Sequence, residues 1–435
     1  MKKLIRILAV ILSFVFVLGL TSCGEESSEP KKDKEGNTVV YVSFHVDSSS
    51  TEGMAYKKRV DAFNRQYKEQ KIKISASFDA RTSGAEGYET KLIADKNAGD
   101  LADIITFDAP NCARYADSNI LYDITNLVDN ETKNDFLSLN EYQGKLYGLP
   151  IQESSAGFFY NKRIFADAGI DVSMYTVDNP WTFTQFKDVC QRLKNRLGDN
   201  KAVYLRLDNT TDEMATYLLY PIIYANGGQF LSNDGLTATG YFNSSKSIAG
   251  FQFIRDLIDA KYTSNATKEE GFYKGEVGML LSSGWTIPDL DNKYKENFPD
   301  RNSWGILPYP QGEQKASATG SWCYGVTDNG VEDKTATMLA FNFLTSAESA
   351  VEITNATGMI PARKSVENNY QNGSPEKVLL EQLAKTGKAR PATICYPEFS
   401  AQFGRTINEL CVNSNVQEVV NQRTNGLQND INLKK

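Results

Sequence analysis

Asp108 follows the mostly apolar segment Asp103 to Phe107, and His45, the only histidine, stands just after a β-rich stretch that ends at Phe44. In an open sheet, ligands lie beyond the carboxyl ends of the strands, so both side chains are candidates to touch one. A carboxylate there can accept two hydrogen bonds from hydroxyl groups. Asp108 can equally cap the helix that begins near Asn111, a weaker candidate in the same loop. Trp285 comes after the segment Val277 to Leu281 and behind Ser282-Ser283-Gly284, and Trp322 lies in Gly320-Ser321-Trp322-Cys323-Tyr324-Gly325. Each indole is either a flat apolar platform or part of a core. Glu153 and Ser154 follow Leu149-Pro150, where polar groups would face a gap between two halves of the chain. Arg363, after Met359-Ile360-Pro361, can donate to a ligand or pair with a surface carboxylate, a contact of small energetic weight.

The chemistry these groups permit is noncovalent capture of a polar molecule with an apolar face. With one histidine there is no HExxH zinc helix, and a Ser-His-Asp system would have to use His45. GxSxG, Walker A and GxGxxG sequences are absent, so no catalytic residue, metal ligand or cofactor is assigned. The acidic run Asp208 to Glu213 lacks the EF-hand pattern and reads as a solvated loop with a helix cap. A net charge of -7 argues against a nucleic-acid partner. Cys112, Cys190, Cys323, Cys395 and Cys411 are scattered without metal spacing and read as small buried hydrophobes.

The elements that must position these groups begin after a processing segment. Lys2, Lys3 and Arg6, the apolar run Ile7 to Leu18, and then Leu20-Thr21-Ser22-Cys23 have the order of a secretory signal peptide. The expected boundaries are a signal over 1–22 and a disordered tether over 23–37, since Gly24 to Gly36 has no apolar side chain. About 400 residues remain, more than one hydrophobic core usually holds, so two lobes are expected. Short β-rich stretches at Val39 to Phe44, Lys71 to Phe78 and Asp103 to Phe107 alternate with helical ones. That alternation predicts βαβ units and a largely parallel sheet. Trp181 to Leu197 is a predicted helix: Phe186, Val189, Cys190, Leu193 and Leu197 follow the helical period, Thr182 caps it and Gly198 ends it. From Asp333 onward the chain reads as mainly helical. The expected division is 38–150 plus about 307–346 in one lobe and 151–306 plus about 347–435 in the other.

Several segments resemble the family of extracellular solute-binding proteins that serve sugar ABC transporters. They are DIITFDAPNCARYADSNILYDITNL (103–127), YQGKLYGLPIQESSAGFFYNKRIFADAGI (142–170), WTFTQF (181–186), FYKGEVGMLLSSGW (272–285), Gly320 to Val326, GMIPAR (358–363) and RPATICYPEF (390–399). The ending at Cys23 resembles a bacterial lipobox. The resemblance implies a periplasmic-binding-protein-like α/β fold, two lobes with hinge crossings and a ligand cleft between them, similar to maltose-binding protein. It implies a ligand contact in the loop of Asp108, a stacking role for Trp285 in its Gly-x-Trp pattern, and a cleft position for Trp322. Tyr217 lines up with an aromatic ligand contact of that family when Pro221 and Gly227-Gly228 are matched, although helical spacing alone reads it as core.

The resulting expectation is a monomeric substrate-binding lipoprotein, anchored through Cys23 to the outer face of the bacterial cytoplasmic membrane. It captures a carbohydrate, best read as an oligosaccharide, and delivers it to the permease subunits of an ABC importer. A receptor for another polar solute and a secreted carbohydrate-active enzyme are the alternatives.

Overall fold

The structure, a computed structural model, describes residues 32–81, 87–210, 213–331, 334–369 and 374–434. The signal peptide, Cys23 and the first part of the tether lie outside the described residues.

The first lobe is built on a seven-stranded sheet. Thr38–Phe44 lies between Ile72–Phe78 and Ile104–Asp108 and is parallel to both. Its neighbours are apolar for the expected reason: Val40, Val42, Phe44, Ile104, Ile105 and Phe107 are all buried between helices that cover both faces. Beyond Ile104–Asp108 the sheet departs from the largely parallel expectation. Gly320–Val326 runs antiparallel to it, and Lys145–Ser154 and the short Ile360–Pro361 continue the sheet in antiparallel pairs. Direction of travel gives the reason. Lys145–Ser154 leaves the sheet at the end that faces the other lobe, whereas Gly320–Val326 re-enters there and must run the opposite way.

The second lobe carries a four-stranded sheet in the order Val203–Tyr204, Met279–Ser283, Ala156–Asn161, Trp304–Leu307. The helix Phe183–Leu197 packs there as its sequence requires. Thr182 and Gln185 form a capping box, and Phe186, Val189, Cys190 and Leu193 are buried. Glu213–Ala225 is buried on almost every side, and its apolar surface is correspondingly continuous around the helix. The C-terminal helices Tyr396–Leu410 and Val416–Asn432 complete this lobe, with Phe399, Phe403, Val419 and Leu427 in its core.

Four expected boundaries move. Residues 151–154, given to the second lobe, finish the first-lobe strand Lys145–Ser154 and pair with Gly320–Val326. Residues 32–37, placed in the tether, form a turn: Asp33 accepts from the backbone of Glu35 and Asn37, and Lys73 pairs with it at 2.5 Å. Those bonds substitute for the apolar burial the segment lacks. Residues 308–318, given to the first lobe, stay with the second: Trp181 donates to Pro308 O at 2.7 Å and Tyr309 to Leu218 O at 2.8 Å. The helix Ala347–Thr357 and the strand Ile360–Pro361, given to the second lobe, belong to the first. Arg59, on the helix Thr51–Gln66, reaches Glu348, Ser349 and Glu352 and fixes that pairing.

The lobes are joined where chain crossings converge on Gln382. Its buried amide donates to Ala156 O at 2.7 Å and accepts from Tyr309 N at 2.9 Å, tying two crossings to the helix Glu376–Lys385. At another point two glycines let the lobes touch. Gly358 ends Ala347–Thr357 with φ 72°, and a Cβ on it would stand 2.4 Å from Gly284 O. A side chain there would suffer both the left-handed backbone and the clash. All five cysteines after Cys23 are free, and four of them are buried, as expected of small hydrophobes.

Candidate functional site

Between the lobes lies a cavity of about 250 Å³. Asp108, Ser154, Tyr217, Trp285 and Trp322, five of the residues singled out in the sequence, line it together. The pairing of strands explains the first-lobe members. Trp322 lies opposite Asp108 in register, so both side chains emerge on the same face of the sheet. Along Lys145–Ser154, side chains alternate, and Gln152 and Ser154 face this cavity. In the second lobe the strand Met279–Ser283 ends in a single 3₁₀ turn, Gly284–Thr286, which presents Trp285 beside Tyr217 with ring centres 5.9 Å apart. The Tyr217 hydroxyl crosses the gap and donates to Ser154 Oγ at 2.7 Å.

Trp322 is held from behind. The His45 ring stacks on it at 3.3 Å, parallel to within 1°. Nδ1 of His45 lies 3.0 Å from Thr106 Oγ1, and Nε2 lies 3.6 Å from Glu52. Burial, helped by the positive charge of Arg81, pushes the His45 imidazole well below its ordinary pKa, so it is neutral at pH 7. His45 is therefore a support for Trp322 and does not line the cavity, a correction to its expected role. The Arg81 guanidinium stands 5.2 Å from the Trp322 ring centre, within cation–π range. Glu52, which accepts from Tyr56 and Gln152, has its carboxyl pushed upward by burial.

The electrostatic centre is Arg390. Its Nη2 donates to Asp108 Oδ1 at 2.7 Å and its Nη1 to Asp108 Oδ2 at 3.0 Å, a two-pronged pair across the gap. Nη1 also meets Glu213 Oε1 at 2.5 Å. Glu213 in turn accepts from Tyr396 and Ser400. Burial works against the charge on Arg390, but Asp108, Tyr396 and Glu213 outweigh it and hold the guanidinium well above its ordinary range. One buried cation thus links an acid of the first lobe to an acid of the second. Asp108 does not cap the turn that follows it; both its oxygens are engaged by Arg390, leaving further lone pairs toward the cavity.

Three other expected contacts are elsewhere. Glu153 points to the opposite face of the sheet, because it alternates with Gln152 and Ser154. Asn111 is buried at the end of the turn Ala109–Asn111 and does not line the cavity. Arg363 donates to Asp135 at 2.7 Å and to Thr345 O at 2.7 Å, with its guanidinium 4.4 Å from the Phe136 ring centre. It fastens the first lobe.

Arg390, Glu213, Arg81, Glu52 and Gln152 escaped the sequence reading. Arg390 opens the segment RPATICYPEF, which gave the only hint of it. Its partner Asp108 is 282 residues away, beyond any local pattern. Glu213 opens its helix as the sequence predicts, but it is only partly exposed and paired with Arg390 instead of solvated.

The sequence profile of bacterial extracellular solute-binding proteins matches residues 58–378. A binding protein of Brucella abortus is 26% identical over 290 residues, 63% of this chain and 66% of the relative, so the chain spans just under two thirds of that relative's length. The arabinooligosaccharide-binding protein of Bacillus subtilis is 24% identical over 323 residues, covering 71% of this chain and 68% of the relative. Among solved structures, the cyclic alpha-maltosyl-1,6-maltose binding protein from Arthrobacter globiformis superposes with a TM-score of 0.74 at 24% identity, over 91% of this chain and 99% of that one. Its fold is that of the two-lobe chain described above. With the profile spanning most of the chain, this protein belongs to the bacterial extracellular solute-binding protein family.

Proposed function

We propose that the cleft captures a sugar, an oligosaccharide of few rings, outside the cell and that the protein hands it to the permease of an ABC importer. The observation that carries this reading is the pair of indoles, Trp322 from one lobe and Trp285 from the other, on a single cavity rimmed by Asp108, Ser154 and Gln152. Sugar rings have an apolar face and a rim of hydroxyls, and that combination calls for aromatic platforms beside groups that give and take hydrogen bonds. Tyr217 positions Ser154 and borders the platform formed by Trp285. The names of the Bacillus and Arthrobacter proteins support the same ligand class.

The protein binds and does not turn its ligand over. Glycoside hydrolysis needs two carboxylates free to act across a cleft. Here Asp108 and Glu213 share one guanidinium, a geometry suited to holding the lobes. Among the described residues no helix is long and apolar enough to cross a membrane. Cys23, acylated and then made the N-terminus by removal of the signal, is the proposed anchor to the outer face of the cytoplasmic membrane.

A thermal-shift and calorimetric screen over neutral oligosaccharides tests the ligand class, because a ligand that binds only the folded state raises the melting temperature. At least one oligosaccharide is expected to bind, with a change in Trp fluorescence and no new reducing ends. Heat from a non-carbohydrate solute with none from any sugar overturns the assignment. Cys23→Ala is expected to move the protein from the membrane fraction to the medium; retention in the membrane fraction refutes the anchor.

A further inference from the structure

On the far face of the first-lobe sheet, behind the crossings, lies a second cavity of about 500 Å³. It is separated from the cleft by the strand Lys145–Ser154, whose residue Glu153 faces it. Its first-lobe wall includes Ala113, Leu137 and Leu139, and its second-lobe wall is formed by Leu380, Leu383 and Ala384 on the helix Glu376–Lys385. Glu153 is 3% exposed. Ser138 donates to one of its carboxylate oxygens; among the described residues no other group hydrogen-bonds to it and no cation pairs with it. A buried carboxylate without a counter-charge is costly, and an opposite charge brought into contact relieves that cost.

We infer that this cavity is a second binding site, which takes an organic cation: a protonated amine against Glu153, carried on a compact apolar body that fills the leucine-lined space. The other charged and titratable groups around it leave that role open. Arg390 borders the cavity, but Asp108 and Glu213 hold its guanidinium. Burial pushes the Cys112 thiol up to about 12 and the Cys323 thiol upward as well, so neither carries charge near neutrality. Glu141 lines the cavity and adds negative charge. Burial also pushes Glu153 up to about 7, so its charge, and with it the affinity for a cation, grows as pH rises through neutrality. The inference rests on Glu153 and the leucine-lined wall and does not require the cleft to bind a sugar.

Calorimetry on the full-length protein with cyclohexylammonium, cyclohexanol and cyclohexanecarboxylate, three probes of one size, tests the inference. At about pH 8 only the amine is expected to bind, with affinity falling about tenfold by about pH 6, where Glu153 is largely protonated. Glu153→Gln is expected to weaken amine binding by about tenfold or more. Ala384→Trp, at an exposed position on the cavity wall, is expected to block it without touching the core. Absence of binding by all three probes, equal binding of the amine and the alcohol, or an amine affinity unchanged in both variants overturns the site.

Discussion

The two faces of the strand Lys145–Ser154 border cavities of opposite electrostatic design. Toward the cleft, Arg390 is surrounded by acids from both lobes, and both tryptophans line the same cavity. Toward the back, Glu153 accepts from the Ser138 hydroxyl, and among the described residues no cation pairs with it. Adjacent residues of one strand thus meet different fates because a one-residue step turns the side chain through the sheet. A paired centre fixes geometry at some cost in desolvation, whereas an unpaired one keeps a proton-dependent liability.

The sharpest break of this comparison is Arg390→Leu. It leaves Asp108 and Glu213 buried without their shared cation, and a loss of about 3–5 kcal/mol in denaturant unfolding is expected. A loss below about 1 kcal/mol means that the centre contributes as little as a surface pair. Next comes Glu153→Gln. The folded protein holds Glu153 protonated up to about 7, while the unfolded chain releases that proton near its ordinary value of 4.5. The folded state therefore binds more protons in that window, and this group makes stability fall as pH rises from about 4.5 to about 7, by at most about 3 kcal/mol. Chemical denaturation across that range should show the decline in the parent and a flatter profile in the variant. Parallel profiles contradict an unpaired Glu153.

Trp285→Ala acts on the cleft side alone. It should weaken ligand binding by about 1–3 kcal/mol with little change in melting temperature, since the ring is only partly buried. A large loss of stability with unchanged affinity assigns it to the core. The smallest effect is expected of Tyr217→Phe, which removes the hydroxyl donated to Ser154 between the lobes. About 1 kcal/mol of stability should go with it, measured by the same unfolding experiment.

Part of this site could be read from the chain. Asp108 and Trp285 were found because each closely follows an apolar strand, and the carboxyl ends of strands are where clefts form. The sequence sets Glu153 and Ser154 just past a crossing at Leu149-Pro150, but the first-lobe strand runs on to Ser154, and alternation within it sends the two side chains to opposite faces. For Arg363 and His45 the structure takes the structural alternative over a ligand contact. One fastens Asp135 and the other backs Trp322, contacts that join distant segments.

By itself the sequence determined the properties that repeat locally. The alternation of strands and helices, the caps of Phe183–Leu197 and the buried faces all follow from residue type and spacing within a few turns. Tertiary structure alone decided which charges meet. Arg390 joins residues 282 and 177 positions away, and Gln382 binds chain crossings 226 and 73 positions away. Local periodicity fixes which side of an element is buried, but the partner of a buried charge depends on how whole lobes dock, and that information is spread over the entire chain.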